Sequence, residues 1–238
     1  MDYKTLSVTK SAHHVTLSLN RPDHKNSINT QLLLELNEAL DTAEANQDCR
    51  VVILNSKQDV FCSGMDLDEV AHSRDKQIID TWTHLYSKTL KRLTTSPKLI
   101  VTCLNGSVIA GGVGFVAASD WVIATENTTF KLSEALWGLI PAMVAPHLMR
   151  RIGFQKAYSL AFTTRTLTAV DAHQMHLVDL VTADLEAAVA DITRRMLRIP
   201  SETLFPLKTY FHSLHPISSE TEATAIRTTT NLLLDGLH

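Results

Sequence analysis

Two glycine-containing segments hold the residues of this sequence whose types and spacing could do chemistry. One is "FCSGMDL", which contains Gly64, and the other is "VIAGGVGF", which contains Gly111, Gly112 and Gly114. Each follows a short apolar run typical of a strand, and each leads towards a helix. Such a turn exposes unpaired backbone N–H groups at a helix start, where the helix dipole also favours negative charge. The sequence therefore predicts two backbone sites that accept negative charge.

Neither segment is a nucleotide-binding motif, because the chain has no G-x-G-x-x-G and no G-K-[ST] pattern. Glycine costs backbone entropy unless a position needs an unusual dihedral angle or a close approach to the backbone. From the residues alone, two tight turns with close helix packing remain an alternative explanation.

Apolar periodicity predicts the elements that must position these segments. An N-cap at Asn29 and one apolar face (Leu32, Leu36, Ala39 and Leu40) predict the first helix, and the polar stretch 71–96 indicates further helices. Short apolar runs predict five strands. The first alternates at Val15, Leu17 and Leu19 and ends at Pro22, and the second covers Arg50–Ser56. The other three are the segments "KLIVTCLNG", "WVIATEN" and "VDLVTA", the last near Val178. Strands that alternate with helices indicate an α/β fold.

The domain organisation predicted from this pattern has two parts. Residues 1–184 form an α/β core, and residues 185–238 form a helical C-terminal section for packing and oligomerisation. The pattern does not decide whether the tail packs on its own core or on a neighbouring subunit.

Composition excludes several classes of function. With 45% apolar and 20% charged residues and a net charge of -3, the chain is globular and has no basic surface for nucleic acid. No apolar run reaches the roughly 20 residues of a membrane span, and the start lacks a signal-peptide core, so we expect a cytoplasmic protein. Three widely spaced cysteines indicate reduced thiols. No histidine pattern such as HExxH occurs, so we expect no metal.

A longer series of motifs resembles a known family. The segments "LNRPDHKNSIN", "VFCSGMDLDE", "LNGSVIAGGVGFVAASDW", "FKLSEALWGLIPA" and "RRIGFQKAYSLAF" follow one another in the order and spacing of the crotonase (enoyl-CoA hydratase/isomerase) superfamily, over roughly residues 18–181. The resemblance implies a ClpP/crotonase-like spiral of ββα units with a helical C-terminal section.

The resemblance also implies a role for the two glycine segments. In this family both loops donate backbone N–H groups to a thioester oxygen, and the matching amides here are those of Met65 and Gly111, supported by Gly64 and Gly112. We expect a side chain at Gly111 or Gly112 to obstruct that oxygen. Two fixed donors stabilise the enolate formed when a proton leaves the carbon beside a thioester, and losing one commonly costs about 100- to 1,000-fold in rate.

The carboxylates depart from the pattern of the family's hydratases, which use two glutamates. The first position falls on Gly114 and the second on Glu134. Glu134 is therefore the predicted general acid/base, with apolar neighbours (Leu132, Ala135, Leu136 and Trp137) that would raise its pKa by desolvation. A surface glutamate that caps a helix is the alternative. We expect Asp66 to cap the loop backbone.

Within the superfamily, "IAGGVGF", "FKLSEALWGLIPA" and "RRIGFQKA" are most similar to the polyketide β-branching dehydratases. The resemblance implies dehydration of 3-hydroxy-3-methylglutaryl on an acyl carrier protein to 3-methylglutaconyl. Three alternatives remain: an enoyl-CoA hydratase or isomerase of fatty-acid type, the decarboxylase that partners the dehydratase, and a scaffold without catalysis.

Partners follow from the same resemblance. The acyl group would be carried on the phosphopantetheine of an acyl carrier protein or of CoA, without another cofactor, and Lys25 matches the loop near the carrier. A distal carboxylate on the substrate requires a cation or several donors, for which Lys88, Lys91 and Arg92 are candidates. The family implies a homotrimer or hexamer formed through the C-terminal helices.

Overall fold

The structure is a computed structural model that describes residues 3–71, 73 and 75–236. Its strands are β1 (Leu6–Lys10), β2 (His14–Leu19), β3 (Val51–Ser56), β4 (Val60–Cys62), β5 (Leu99–Leu104), β6 (Ser107–Ile109), β7 (Trp121–Ala124), β8 (Thr129–Lys131), β9 (Leu167–Thr168) and β10 (Leu180–Val181). Its α-helices are α1 (Thr30–Ala45), α2 (Lys76–Thr95), α3 (Gly111–Ala117), α4 (Ala145–Ile152), α5 (Phe154–Thr163), α6 (Ala169–Gln174), α7 (Leu185–Met196), α8 (Ser201–Leu214) and α9 (Ser219–Asp235). Short 3-10 helices cover Pro22–His24 and Glu134–Trp137, and a π-helical turn covers Leu67–Ala71.

The strands form two sheets. The larger sheet has the order β1-β2-β3-β5-β7-β10 and is parallel except for the β1–β2 pair. The smaller sheet has the order β4-β6-β8-β9 and is parallel except for the β8–β9 pair. Three consecutive strand pairs (β3 and β4, β5 and β6, β7 and β8) place their first strand in the larger sheet and their second in the smaller one. A helix then follows each pair, so the chain winds as a spiral of ββα units.

The five predicted strands are confirmed as β2, β3, β5, β7 and β10, which all belong to the larger sheet. The prediction missed β1 and the whole smaller sheet. Strands β4, β6 and β8 have only three residues each, which is too short for an alternating pattern to show. As a result, each glycine segment follows a strand of the smaller sheet and not, as the pattern indicated, a strand of the larger one.

Helices cover both faces of the larger sheet. The first helix begins as predicted, with the Asn29 side chain accepting a hydrogen bond from the Leu32 amide at 2.9 Å. Its apolar face is fully buried in the main core. On the opposite face of the sheet, α7 packs against a second cluster that includes Val51, Val101 and Ile123.

The described part of the C-terminal section packs on the core of its own chain. Lys208 of α8 is buried and pairs with Asp120 at 2.7 Å, and α9 lies along α2, with Ala225 and Leu233 in the main core. The division at residue 184 stays a prediction, and residues 1–2, 72, 74 and 237–238 of the two predicted ranges lie outside the described residues. None of the described helices has the length and apolar character that crossing a membrane requires.

Candidate active site

Three neighbouring strands of the smaller sheet deliver the three predicted catalytic groups to one edge. Met65 lies three residues after β4, Gly111 two residues after β6, and Glu134 three residues after β8. Because β4, β6 and β8 run parallel, their carboxyl ends meet at the same side, which is where α/β sheets bind ligands. All three residues line a single cleft with about 650 Å³ of free space including its open mouth.

The backbone around Met65 leaves its amide free to face this cleft. Ile28 forms an isolated parallel bridge with Met65, in which the Ile28 amide donates to the Gly64 carbonyl at 2.7 Å and the Asp66 amide donates to the Ile28 carbonyl at 3.0 Å. Polar groups alternate in direction along extended backbone, so the Met65 N–H points away from Ile28. Within the described residues it has no hydrogen-bond acceptor.

The second predicted donor, the Gly111 amide, lies at the start of α3, where the first N–H groups have no partner in the helix. The preceding residue, Ala110, holds φ at +47°, a backbone region that costs a non-glycine residue about 1–3 kcal/mol. The two donor loops touch, since a Cβ added to Gly64 would lie 2.9 Å from the Ala110 Cβ and 3.6 Å from the Gly111 nitrogen. The Met65 and Gly111 amides therefore belong to two loops that contact each other directly.

Helix α2 fixes both loops through two aromatic residues one turn apart. The Trp82 indole donates to the Ile28 carbonyl at 2.8 Å, and the Tyr86 hydroxyl donates to the Gly111 carbonyl at 2.6 Å. The two rings stack with their centroids 5.1 Å apart, and both side chains are buried. Burial raises the pKa of Tyr86 well above its usual value, which keeps its hydroxyl a donor. Sequence reasoning missed this pair, although its i, i+4 spacing on a predicted helix was the available signal.

Packing gives a second reason for the glycines next to Ala110, and the expectation that a side chain there would obstruct the ligand stays a prediction. A Cβ at Gly111 would meet the Ile28 Cδ1 at 3.0 Å, and a Cβ at Gly112 would meet the Cys62 Cβ at 2.8 Å. Gly112 thus lets α3 pack closely on the end of β4. Burial raises the pKa of the Cys62 thiol to about 12, so it is a packing group and not a nucleophile.

Tyr86 also occupies the space that a first glutamate would need. A Cβ added to Gly114 would lie 2.2 Å from the Tyr86 hydroxyl oxygen and 3.2 Å from the Val144 Cγ2. A side chain at residue 114 therefore cannot enter the cleft while Tyr86 holds its place. The departure from the two-glutamate pattern has a steric cause in this chain.

Glu134 begins the 3-10 helix that follows β8, and its Oε2 atom is buried without a hydrogen-bond partner among the residues that the structure describes. Burial raises the pKa of this carboxyl group to about 7, although the amides of Glu134 and Ser133 oppose the shift. Of the neighbours expected to bury it, Leu132 is itself buried and Trp137 lines the same cleft, whereas Ala135 and Leu136 are exposed. The other apolar walls of the cleft include Leu139, Met143 and Val144.

This pKa predicts the pH dependence of catalysis. A base must begin the reaction ionised, so kcat/KM for proton removal should rise with pH and level off above about 7. Return of a proton to the substrate starts from the protonated acid, so kcat/KM in that direction should fall over the same interval. Initial rates in both directions between about pH 5 and about pH 9 test this. A forward profile that is flat, or that turns over near the usual glutamate value, would contradict the assignment.

Asp66 anchors the first donor loop, as expected from the sequence. Its carboxylate pairs with Arg21 at 3.0 Å and accepts from the Ser27 hydroxyl at 2.9 Å and from the Glu69 amide at 3.3 Å. Burial disfavours the charged form, but these hydrogen bonds outweigh it and lower the pKa of Asp66. The side chains of Arg21 and Asp66 are only 10% and 8% exposed, so the pair is shielded from screening by salt.

Replacing Asp66 with Asn should destabilise the protein by about 3 kcal/mol, because it leaves the buried Arg21 without its counter-ion. The loop that carries Met65 would then be held less firmly, and turnover should fall with it. Urea unfolding monitored by circular dichroism measures the first effect. Asp48→Asn, at an exposed position in the loop after α1, is the matched control for the loss of one charge. Equal stability of the Asp66 and Asp48 variants would show that the ion pair does not support the loop.

The remaining predicted ligands lie around the cleft and not within it. Gly64 and Gly112 lie behind the donors, and Lys25 is exposed, with its carbonyl accepting from the Ser63 amide at 3.2 Å at the base of the first loop. Among the residues that the structure describes, no Lys, Arg or His lines the cleft. The part of the chain described here also contains no group of three His, Cys, Asp or Glu residues suited to a metal ion.

The three cations suggested for a distal carboxylate face elsewhere. Lys91 pairs with Glu222 on the outside of α9, and Lys88 is exposed. Arg92 pairs with two acidic residues of α1, Asp41 and Glu44, each at 2.8 Å. A substrate carboxylate in the cleft would therefore have to use hydroxyl and amide donors.

Comparisons with known proteins agree with this geometry. The family model described as enoyl-CoA hydratase/isomerase matches residues 9–234. Bacillaene synthase dehydratase PksH of Bacillus subtilis is 32% identical over 98% of this chain and 90% of its own length. Enoyl-CoA hydratase EchA19 of Mycobacterium tuberculosis is 29% identical over 76% of this chain and 69% of its own. A crystal structure of pksH from Bacillus subtilis superposes with a TM-score of 0.90 at 30% identity, covering 98% of this chain and 93% of that one.

Proposed function

The chain belongs to the enoyl-CoA hydratase/isomerase family, and from its site we infer that it is the hydro-lyase that dehydrates 3-hydroxy-3-methylglutaryl on an acyl carrier protein to 3-methylglutaconyl. The family's crotonase fold, expected from the sequence, is confirmed by the structural match. Relatives named dehydratase and enoyl-CoA hydratase support lyase chemistry. The acyl group and its carrier are the part of this function that we propose.

The reaction would proceed through an enolate. The Glu134 carboxylate takes the proton from C2, and the electron pair of the C–H bond moves onto the thioester oxygen, which the Met65 and Gly111 amides hold. The carbonyl then re-forms, the pair makes the C2=C3 bond, and the C3–O bond breaks. The proton on Glu134 passes to the departing hydroxyl, which leaves as water, and the carboxylate is restored. One carboxylate in both steps favours loss of the two groups from one face.

The observation that carries this proposal is the state of Glu134. It is the only carboxylate among the described lining residues of the cleft, its Oε2 is buried and unpaired, and its pKa is about 7. A group that titrates near neutrality is suited both to accept a proton and to return it. The steric block at Gly114 leaves the chain without the first of the two glutamates that the family's hydratases use.

The choice of substrate is supported by the relative that matches almost the whole chain, which is named as a dehydratase of bacillaene synthase. The crystal structure of pksH from Bacillus subtilis is described as that of a polyketide biosynthesis enoyl-CoA hydratase. The sequence motifs shared with β-branching dehydratases point to the same substrate.

A second candidate function rests on the cation-free cleft. Because no described Lys, Arg or His lines it, an acyl group without a distal carboxylate would fit the described walls equally well. That observation favours an enoyl-CoA hydratase or isomerase of fatty-acid type as the alternative.

Intact mass spectrometry separates these functions. An acyl carrier protein loaded with 3-hydroxy-3-methylglutaryl is incubated with the enzyme, and the proposal expects the loss of one water. A further loss of carbon dioxide would assign the decarboxylase activity instead. An unchanged carrier together with conversion of crotonyl-CoA would assign the fatty-acid function. An unchanged carrier and unchanged CoA esters would leave the non-catalytic scaffold as the explanation.

Carrier binding and assembly belong to the same proposal. Lys25, exposed beside the first donor loop, would contact the phosphate of the carrier's pantetheine or of CoA. We place a homotrimer or hexamer on the apolar surfaces of α5 and α8, where aromatic side chains of Phe154, Tyr158, Phe162 and Phe211 are more than half exposed. Light scattering should then give a molar mass that is a multiple of three chains of 26.4 kDa.

A further inference from the structure

The last described helix contributes a polar group to the cleft. Thr229 of α9 lines it together with Glu134, Trp82 and Tyr86, and its side chain is buried with only 6% exposure. Its Oγ1 atom has no hydrogen-bond partner among the described residues. Of the four buried side-chain polar atoms in that condition, only Thr229 Oγ1 and Glu134 Oε2 belong to residues that line this cleft.

An unpaired threonine hydroxyl inside a helix is unusual, because the carbonyl four residues earlier normally accepts its proton. On the neighbouring α2, Thr83, Thr89 and Thr95 all donate to that carbonyl at 2.7–2.9 Å. Thr229 does not, and the next residue, Thr230, contacts the Thr83 hydroxyl at 3.3 Å. The Thr229 hydroxyl therefore has no partner among the described residues, and it belongs to a residue that lines the cleft.

A buried hydroxyl without a partner destabilises the complex with any ligand that leaves it unpaired. A purely hydrocarbon acyl chain would leave the Thr229 hydroxyl unpaired. An oxygen at or beyond C3 would instead accept a hydrogen bond from that hydroxyl. We propose that Thr229 is a specificity-determining residue that donates to an oxygen substituent of the acyl chain, the C3 hydroxyl in a 3-hydroxyacyl thioester. This deepens the proposed function, since it assigns the group that recognises the oxygenated substrate.

The role differs from that of the catalytic residues. The Met65 and Gly111 amides donate to the thioester oxygen. Glu134 accepts the C2 proton and protonates the leaving group. Thr229 comes from another wall of the cleft, on a helix that packs on α2 and is separate from the small sheet. Its removal should thus change which acyl chain binds, without changing how the thioester is held.

Binding of paired ligands to catalytically blocked protein tests this. In a Glu134→Gln background, isothermal titration with 3-hydroxybutyryl-CoA and butyryl-CoA measures the preference for the C3 oxygen as a ratio of Kd values. We expect Thr229→Val, which keeps the shape and removes the hydroxyl, to reduce that ratio about 10- to 100-fold. Thr229→Ser should retain it. Thr193→Val, which removes another buried unpaired hydroxyl outside the cleft, should also retain it.

Two results would overturn the proposal: a background protein that binds both esters equally, or a ratio that Thr229→Val leaves unchanged. Failure of the proposed function gives a different signature. In that case the wild-type enzyme would not remove water from the 3-hydroxy-3-methylglutaryl carrier, while the dependence of the binding ratio on residue 229 would persist.

Discussion

Glu134→Gln should abolish turnover and at the same time stabilise the folded protein at alkaline pH. The amide cannot take a proton from C2, so the rate should fall by at least about 1,000-fold, within the range attributed to a positioned general base. Binding of the thioester should persist, because the Met65 and Gly111 amides are unchanged. Near-normal turnover would remove Glu134 from the mechanism.

The gain in stability follows from the pKa of about 7 in the folded state, against 4.5 as the ordinary value. Between these values the folded protein binds more protons than the unfolded chain, so wild-type stability falls as pH rises from about 4.5 to about 7. This difference between the two pKa values corresponds to a loss of at most about 3 kcal/mol in the free energy of unfolding above pH 7. The Gln variant lacks this loss and should unfold at higher urea concentration at pH 8.5 than the wild type, but not at pH 4.

Glu126→Gln provides the matched control for both effects. Glu126 is exposed on the turn before β8, so the substitution changes the net charge equally without touching the cleft. Its turnover and its urea midpoint should match the wild type at both pH values. Equal stability of Glu134→Gln and the wild type at alkaline pH would show that the carboxylate is solvated and not buried.

Gly114→Ala should destabilise the protein by about 3 kcal/mol, because the new methyl group would lie 2.2 Å from the Tyr86 hydroxyl oxygen. Tyr86 cannot move aside easily, since it stacks on Trp82 and donates to the Gly111 carbonyl. The displaced hydroxyl would release that carbonyl, and turnover should fall as the second donor loop shifts. Gly114→Glu should accordingly fail to create a two-carboxylate hydratase.

A double-mutant cycle isolates the steric origin. Tyr86→Phe alone should cost about 1 kcal/mol for the lost hydrogen bond. In the double variant the hydroxyl is absent, and its clash with the new methyl group is therefore absent too. The losses of stability caused by the two substitutions should then be less than additive by about 2 kcal/mol. Strict additivity in the cycle would contradict the proposed contact.

The strands β2, β3, β5 and β7 of the larger sheet could be predicted from the sequence because, at four to six residues, they are long enough to show alternation or a continuous β-branched run. The N-cap at Asn29 could be predicted because capping is a local interaction between residues three positions apart. The small sheet could not, since a three-residue strand beside a glycine turn has no periodicity. Its order is fixed by contacts between segments some 20–50 residues apart along the chain.

The candidate site also has a part that could be predicted from the sequence and a part that could not. The donor loops and Glu134 lie in contiguous motifs, so the resemblance to a family could assign them. The walls come from separate segments: Trp82 and Tyr86 from α2, Met143 from the stretch before α4, and Thr229 from α9. Nothing in the run "RTTTNLL" distinguishes the threonine that faces the cleft from its two neighbours. Only the packing of α9 on α2 selects it.

That separation has a consequence for how such a site changes over generations. The residues proposed to stabilise the enolate lie at hydrogen-bonded strand ends, where most substitutions should abolish activity. The residues proposed to contact the acyl chain lie on separate segments, Thr229 on α9 and Met143 in the turn before α4. Mutation can therefore explore new acyl chains at positions such as Thr229 or Met143 while the chemistry is inherited intact, and laboratory selection for altered substrates should find its first successes there.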